Sequence, residues 1–273
     1  RYDIGLNLSH ASSKMTELAD GEAIWEGNDQ RLGMLTYTGI GGPVGAFYGF
    51  VTDGIFQNEI DINNHSDDSG NVLQPTAKPG DFKFKDLNGD GKITADGDRT
   101  IIGSPEALFS FGLNLQLNYR SFDLKMLITG TYGNEVLTPI WAYTHSGSSN
   151  YNSYKGLIYD AWSGEGTSDT QPRIANVDAN QNFRYSDFYV SDGSYARLKS
   201  LQIGYELPDE WYRKLNIDKL RVYVSAENLF TLTGYEGLDP DMGPFYSNIL
   251  LRGVNWGNYP LPRIMFLGLS VSL

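Results

Sequence analysis

The sequence has no cysteine in 273 residues. That excludes disulfides, thiolate metal sites and a cysteine nucleophile. It also lacks any run of roughly 18 apolar residues, so no transmembrane helix is encoded. Histidine is scarce, and His10, His65 and His145 stand far apart without the H-x-x-x-H or H-E-x-x-H spacing of a metal site, so they are expected as solvent-exposed loop residues. Positive charge is short as well. The 21 Lys and Arg against 33 Asp and Glu leave a net charge of −12 and no basic cluster. Nucleic acid is therefore a poor partner, because phosphate neutralisation needs concentrated Lys and Arg. No basic n-region or apolar h-region of a signal peptide is found. Carboxylate pairs such as Asp67/Asp68 and Asp239/Asp241 lack a visible partner acid, base or nucleophile, so no enzyme is expected.

What is present is β-like. The chain is 40% hydrophobic and 13% aromatic with 31 glycines, which is not the composition of a disordered chain. From Phe109 to Tyr119 the odd positions (Phe109, Phe111, Leu113, Leu115, Leu117, Tyr119) are apolar. The even ones (Ser110, Gly112, Asn114, Gln116, Asn118) are polar or small. Strict period-two alternation is the signature of a strand with one apolar face. The same pattern recurs and gives six long strands, roughly 2–9, 108–119, 122–132, 194–207, 219–231 and 263–273. Each is near the ~9–11 residues with which a tilted strand crosses a bilayer.

The connections alternate in length. Links 120–121 and 208–218 are short, whereas 10–107, 133–193 and 232–262 are long, polar and rich in Gly, Asn, Asp and Tyr. Short turns at one end and long loops at the other are the pattern of an outer-membrane barrel. The expected fold is all-β: a transmembrane antiparallel β-barrel wall with long extracellular loops. Both ends of the chain lie in mid-strand, and six strands fall short of the about 8 that close the smallest barrels, so the chain reads as a C-terminal piece of a larger sheet. Short helical turns are expected within 151–162 and over 209–215. The alternative is a soluble, calcium-stabilised β-sandwich that serves as a carbohydrate-binding or adhesion module. The two differ in the fate of the Phe109–Leu117 apolar face, which a barrel turns to lipid and a sandwich buries.

One loop carries a cation motif. Asp86-Leu87-Asn88-Gly89-Asp90-Gly91-Lys92-Ile93-Thr94 matches the first positions of a D-x-[DN]-x-[DN]-G calcium loop. Side-chain oxygens of Asp86, Asn88 and Asp90 converge on a hard cation, Gly91 permits the sharp turn, and the Lys92 carbonyl adds a ligand. Position twelve is Gly97, so closure falls to Asp96 or Asp98 with a shifted backbone. A plain Asx/Gly turn is the other reading. Ca²⁺ is the expected cofactor, in a structural role, and no organic cofactor is expected. Loop aromatics are the substrate candidates: Trp141, Tyr143 and Trp162 in the second long loop and Trp256 in the third. Rings facing a wet lumen can stack on sugar faces; their alternative is packing of the loops on one another or on a partner.

Several segments in order resemble one family. They are Pro43-Val44-Gly45-Ala46-Phe47-Tyr48-Gly49-Phe50 leading to Gly54-Ile55-Phe56-Gln57, and Gly80-Asp81-Phe82-Lys83-Phe84-Lys85 with the calcium-like loop and Asp98-Arg99-Thr100-Ile101-Ile102-Gly103. There follow Asp192-Gly193-Ser194-Tyr195-Ala196-Arg197-Leu198-Lys199 and Leu220-Arg221-Val222-Tyr223-Val224-Ser225-Ala226-Glu227-Asn228-Leu229-Phe230. The last is Tyr259-Pro260-Leu261-Pro262-Arg263 before the final strand. In this order they resemble the C-terminal part of SusC/RagA-type TonB-dependent outer-membrane transporters. The resemblance implies a 22-stranded barrel with a plug domain, of which this chain supplies the last six strands and no plug. It further implies a SusD/RagB-like surface lipoprotein, outer-membrane lipid around the barrel, and a Gram-negative outer membrane as the location. TonB contacts would fall to the missing N-terminal part, and the function implied is energised uptake of glycans, oligosaccharides or peptides.

Overall fold

The computed structural model describes residues 1–147, 150–212 and 217–273. Fifteen strands are described, in two groups of different length. Six long ones are β1 (Tyr2–Ser9), β8 (Phe109–Tyr119), β9 (Phe122–Tyr132), β12 (Tyr195–Glu206), β13 (Lys219–Glu227) and β15 (Ile264–Ser272). They pair antiparallel in the order β1-β8-β9-β12-β13-β15, each with the next along the chain, and β14 (Thr231–Thr233) adds to β12. Such an up-and-down order places the short links at one end of the sheet and the three long connections at the other.

Register follows from the alternation, because a slip by one residue would turn every apolar side chain to the wrong face. Tyr2, Leu117, Leu124, Ile203, Val224 and Leu267 form one row across all six strands. Ile4, Leu115, Met126, Leu201, Ala226 and Met265 form the next. Between them runs Asp3, Gln116, Lys125, Gln202 and Ser225, ending on Phe266. One extra residue, Lys199, bulges β12 between Leu198 and Ser200 and keeps the rows in phase on either side. One face of the sheet is thus apolar and the other largely polar.

No second layer covers the apolar face among the described residues. Leu6 is 73% exposed and Leu267 84%. A sandwich would bury these side chains, so the geometry goes against the β-sandwich alternative. Among the described residues, no helix is long and apolar enough to cross a membrane.

The buried core lies in the long connections, which the alternation leaves unassigned. The first folds into β2 (Ile24–Asp29), β3 (Gly33–Thr38), β4 (Ala46–Phe50) and β7 (Arg99–Gly103), a four-stranded sheet. It also contains the pair β5 (Thr52–Ile55) and β6 (Phe82–Phe84) and the helix α1 (Glu59–Asn64), which Asn58 caps by accepting from the Asp61 N–H. The second holds β10 (Glu135–Leu137) paired with β11 (Val190–Asp192), and the short helices α2 (Trp141–Thr144) and α3 (Leu157–Asp160). The main cluster takes Leu32, Leu35 and Phe47 from the first connection, Leu137, Tyr185 and Tyr189 from the second, and Leu251 and Val254 from the third. The three therefore form one body. Main-chain bonds such as Leu137 N–H to the Gly253 carbonyl (2.9 Å) stitch it together.

A buried amide ladder finishes the free edge of β6. Gln74, Asn180 and Asn182 side chains supply the donors and acceptors that a neighbouring strand would. Asn182 Oδ1 accepts from Phe82 N (2.8 Å), Gln74 Oε1 accepts from Phe84 N (2.8 Å), and the Asn180 amide donates to the Phe82 carbonyl (2.9 Å). This satisfies main-chain groups that would be costly to bury unpaired.

Of the turns expected near residues 209–215, Asp209–Trp211 is a 3-10 turn, and 213–215 lie outside the described residues. The turn expected within 151–162 is α3.

Candidate functional site

The polar face of the sheet carries charge in an ordered way. Arg221 on β13 reaches across β12 to Asp123 on β9, donating from Nε to Oδ1 (2.7 Å) and from Nη2 to Oδ2 (2.5 Å). It can do so because Gly204 lies between them: a Cβ there would run into both the guanidinium and the carboxylate. Nearer the long connections, buried Arg197 forms an ion pair with Asp239 and lies 3.5 Å from Asp241. The carboxylate pair that looked partnerless in sequence is an anchor for the third connection.

A cleft of about 790 Å³ opens in the loop body. Its lining includes Trp141, His145, Tyr154, Asp160, Phe188 and Glu236. That volume lies within the range of small-molecule sites, roughly 300–1,000 Å³. α2 presents Trp141 and ends at His145, whose ring stacks on Tyr154 with centroids 4.4 Å apart. Phe188 sits edge-on to His145, and the Tyr154 hydroxyl donates to Asp160 at the end of α3. Asp160 and burial together push the Tyr154 hydroxyl up to about 12, burial being the larger cause.

His145 is not a solvent-exposed loop residue as expected. Burial lowers it from 6.5 to about 4, against the opposing pull of Asp160. His65 is also partly buried, against the Phe84 carbonyl (2.9 Å), whereas His10 is exposed. The depressed His145 value has a consequence for stability. The unfolded chain binds a proton near pH 6.5 that the folded one refuses until about 4. Stability contributed by neutral His145 is therefore complete above 6.5 and falls as pH drops through that window. Limited proteolysis of the loop body is expected to accelerate between pH 6.5 and 4, and less steeply in a His145→Asn variant.

The expected aromatic residues divide. Trp141, Tyr143 and Trp256 all pack on the main core cluster, and only Trp141 also lines the cleft. Tyr143 is committed elsewhere: its hydroxyl donates to Asp29 (2.8 Å) and the Arg31 guanidinium covers its ring at 5.0 Å. Trp162 packs on the separate Phe50/Phe82/Phe84 cluster and donates from Nε1 to Gln57 (3.1 Å). Sequence reasoning missed Phe188, Asp160 and Glu236 as cleft residues. They come from different stretches of chain, and no local pattern links them.

The calcium-like loop folds as a nest of Asx turns. Asp86 accepts from Gly89 N (2.7 Å) and Gly91 N (2.8 Å), both glycines having positive φ. Asn88 accepts from Asp90 N (3.0 Å) and Asp90 from Lys92 N (2.9 Å). Asp98 is fully buried and accepts from Leu87 N (2.8 Å) and Thr94 N (2.6 Å), whereas Asp96 is exposed. The slight burial of Asp86 raises its carboxyl, but the N–H groups of Gly91, Gly89 and Asp90, with contact from Asp98, hold it below the usual range. No group of three His, Asp or Glu side chains fit to hold a metal is gathered among the described residues.

A long-stranded antiparallel sheet, apolar on one face and polar on the other, with short turns at one end and a folded loop body at the other, defines a segment of barrel-type wall. The comparisons place it. No protein-family model matches the chain. It is 32% identical to TonB-dependent receptor P3 of Formosa agariphila, over 99% of this chain and 26% of that protein. It is 26% identical to TonB-dependent receptor SusC of Bacteroides thetaiotaomicron, over 74% of this chain and 18% of that protein. Its fold matches that of a solved RagAB peptide transporter with a TM-score of 0.71 and 20% identity, covering 98% of this chain and 26% of that one. The chain is similar along nearly its whole length to TonB-dependent receptors, and spans about a quarter of the length of the relatives it matches most fully.

Proposed function

We propose that this chain forms part of the wall and the extracellular loops of an outer-membrane nutrient importer in a Gram-negative bacterium. The observation that carries the reading is the exposed apolar face, continuous across six paired strands and backed by a polar face. Lipid is the medium in which such a face is stable. The remaining strands of a 22-stranded barrel and the plug come from the rest of the same transporter, and TonB energises it. The importer takes oligosaccharides or peptides together with a SusD/RagB-like surface lipoprotein. Exposed Ile158, Tyr159, Val177, Tyr246 and Tyr259 on the loop body support such docking. Nothing in the site calls for catalysis. Deleting the gene, or separately removing TonB, is expected to abolish accumulation of the nutrient. Undiminished accumulation in both strains would refute the reading.

Calcium belongs to the same proposal. Asp86, Asn88 and Asp90, the Lys92 carbonyl and buried Asp98 would hold the ion, with Asp98 rather than exposed Asp96 closing the loop. The ion's role is to stiffen the loop. Chelation is expected to increase cleavage within residues 80–103 while the strands stay folded, and Asp98→Asn to give the same cleavage with calcium present. Identical cleavage with and without calcium would count against the site.

A further inference from the structure

We propose that the cleft beside Trp141 receives a positively charged ammonium group of the imported ligand. This rests on the importer reading and narrows its substrate class. The walls are the rings of Trp141, His145, Tyr154 and Phe188, and the charged lining residues are Asp160 and Glu236; no Lys or Arg is among them. A cation against an aromatic face is attracted by the ring quadrupole. Asp160 accepts one bond from Tyr154 and keeps acceptor capacity, because an ionised carboxylate offers about four lone-pair sites. Exposed Glu236 reaches the cleft from the third connection and Asp160 from the second, so two separate loops supply the negative charge. His145 adds no opposing charge at neutral pH, since burial keeps it in the neutral form.

The surroundings point the same way. The three long connections, 10–107, 133–193 and 232–262, contain 26 of the 33 acidic residues but only 11 of the 21 Lys and Arg. They therefore carry a net charge of −15, while the strands and short turns carry +3. A field of this sign concentrates cations at the loop end and repels anions. A neutral sugar would find the rings but gain nothing from the charge. An ammonium group gains from both, and it occurs on lysine side chains and peptide N-termini as well as on amino sugars.

The test uses the complete transporter, purified in detergent. Its probes are a short lysine-containing peptide and a glucosamine oligomer, each compared with its N-acetylated form, which keeps the frame and removes the charge. Calorimetry is expected to show at least one free-amine probe binding about tenfold more tightly than its acetylated form, near 1.4 kcal/mol. The preference should shrink with added salt and vanish in an Asp160→Asn/Glu236→Gln double variant, which should bind the free and acetylated forms alike. Which amine shows the preference identifies the source as peptide or sugar. Equal binding of free and acetylated forms, no binding of either, or a preference that survives in the double variant would overturn the proposal. Accumulation of the same probes in energised cells tests the importer reading separately. If no probe accumulates, import fails while the charge preference in detergent still stands or falls alone.

Discussion

Replacing Arg197 with methionine is expected to unseat the third long connection at a cost of about 3–5 kcal/mol, the range for removing one partner of a buried ion pair. The side chain projects from β12 on the polar face and is buried. It donates from Nε to Thr231 (2.9 Å) and pairs with Asp239, which is also buried. Asp239 in turn accepts from Leu261 N (3.1 Å) and Asp241 N (3.0 Å), so one carboxylate ties together both ends of the connection. Methionine fills the volume but leaves Asp239 charged and without its counterion. Adding Asp239→Asn should recover part of the loss, because a neutral amide is less costly to bury and still accepts those N–H bonds. Denaturant unfolding of the detergent-solubilised protein measures both. A loss below about 1 kcal/mol for the single variant would mean that Asp239 is solvated, as in a surface pair.

An arginine at Leu115 is expected to destabilise the folded wall by about 2–4 kcal/mol, as for lipid-facing sites near a bilayer midplane. Leu115 lies in the middle of the apolar row shared with Ile4 and Met126. The neighbouring Gln116 lies in the polar row with Asp3 and Lys125, and an arginine there should change stability little. The contrast between adjacent positions is what matters, since strand propensity and chain context are nearly the same for both. Refolding into lipid vesicles gives the difference. Equal effects at the two positions would contradict a lipid-facing row.

The long-stranded sheet was largely legible in the sequence and the loop body was not. Alternation over Phe109–Tyr119 and Phe122–Tyr132 locates those strands to within a residue, because each has one face apolar and one face polar. At 219–231 the single strand expected is interrupted: β13 stops at Glu227, and after an irregularity at Asn228, in the left-handed region, the chain continues in the same direction along β12 as β14. Inside the long connections the strands are short, and one of them, Ala46–Phe50, is buried on both faces, so period two gives no signal there. The cleft was hidden for another reason. Trp141, Asp160, Phe188 and Glu236 meet only after three connections have packed on one core, and sequence spacing holds no record of that packing. The calcium-like loop lies between these cases: its spacing was visible, but only the fold separates buried Asp98 from exposed Asp96.

This stretch has no cysteine of its own, so a thiol introduced into it labels one known position once any cysteine elsewhere in the transporter has been replaced. Single cysteines at positions 113 through 117, each carrying a nitroxide in lipid-embedded protein, report contact with lipid-soluble oxygen or a water-soluble nickel complex. The expected result is alternation: oxygen contact at 113, 115 and 117, and water contact at 114 and 116. Uniform access to the water-soluble reagent, or protection of all five positions, would contradict a membrane wall.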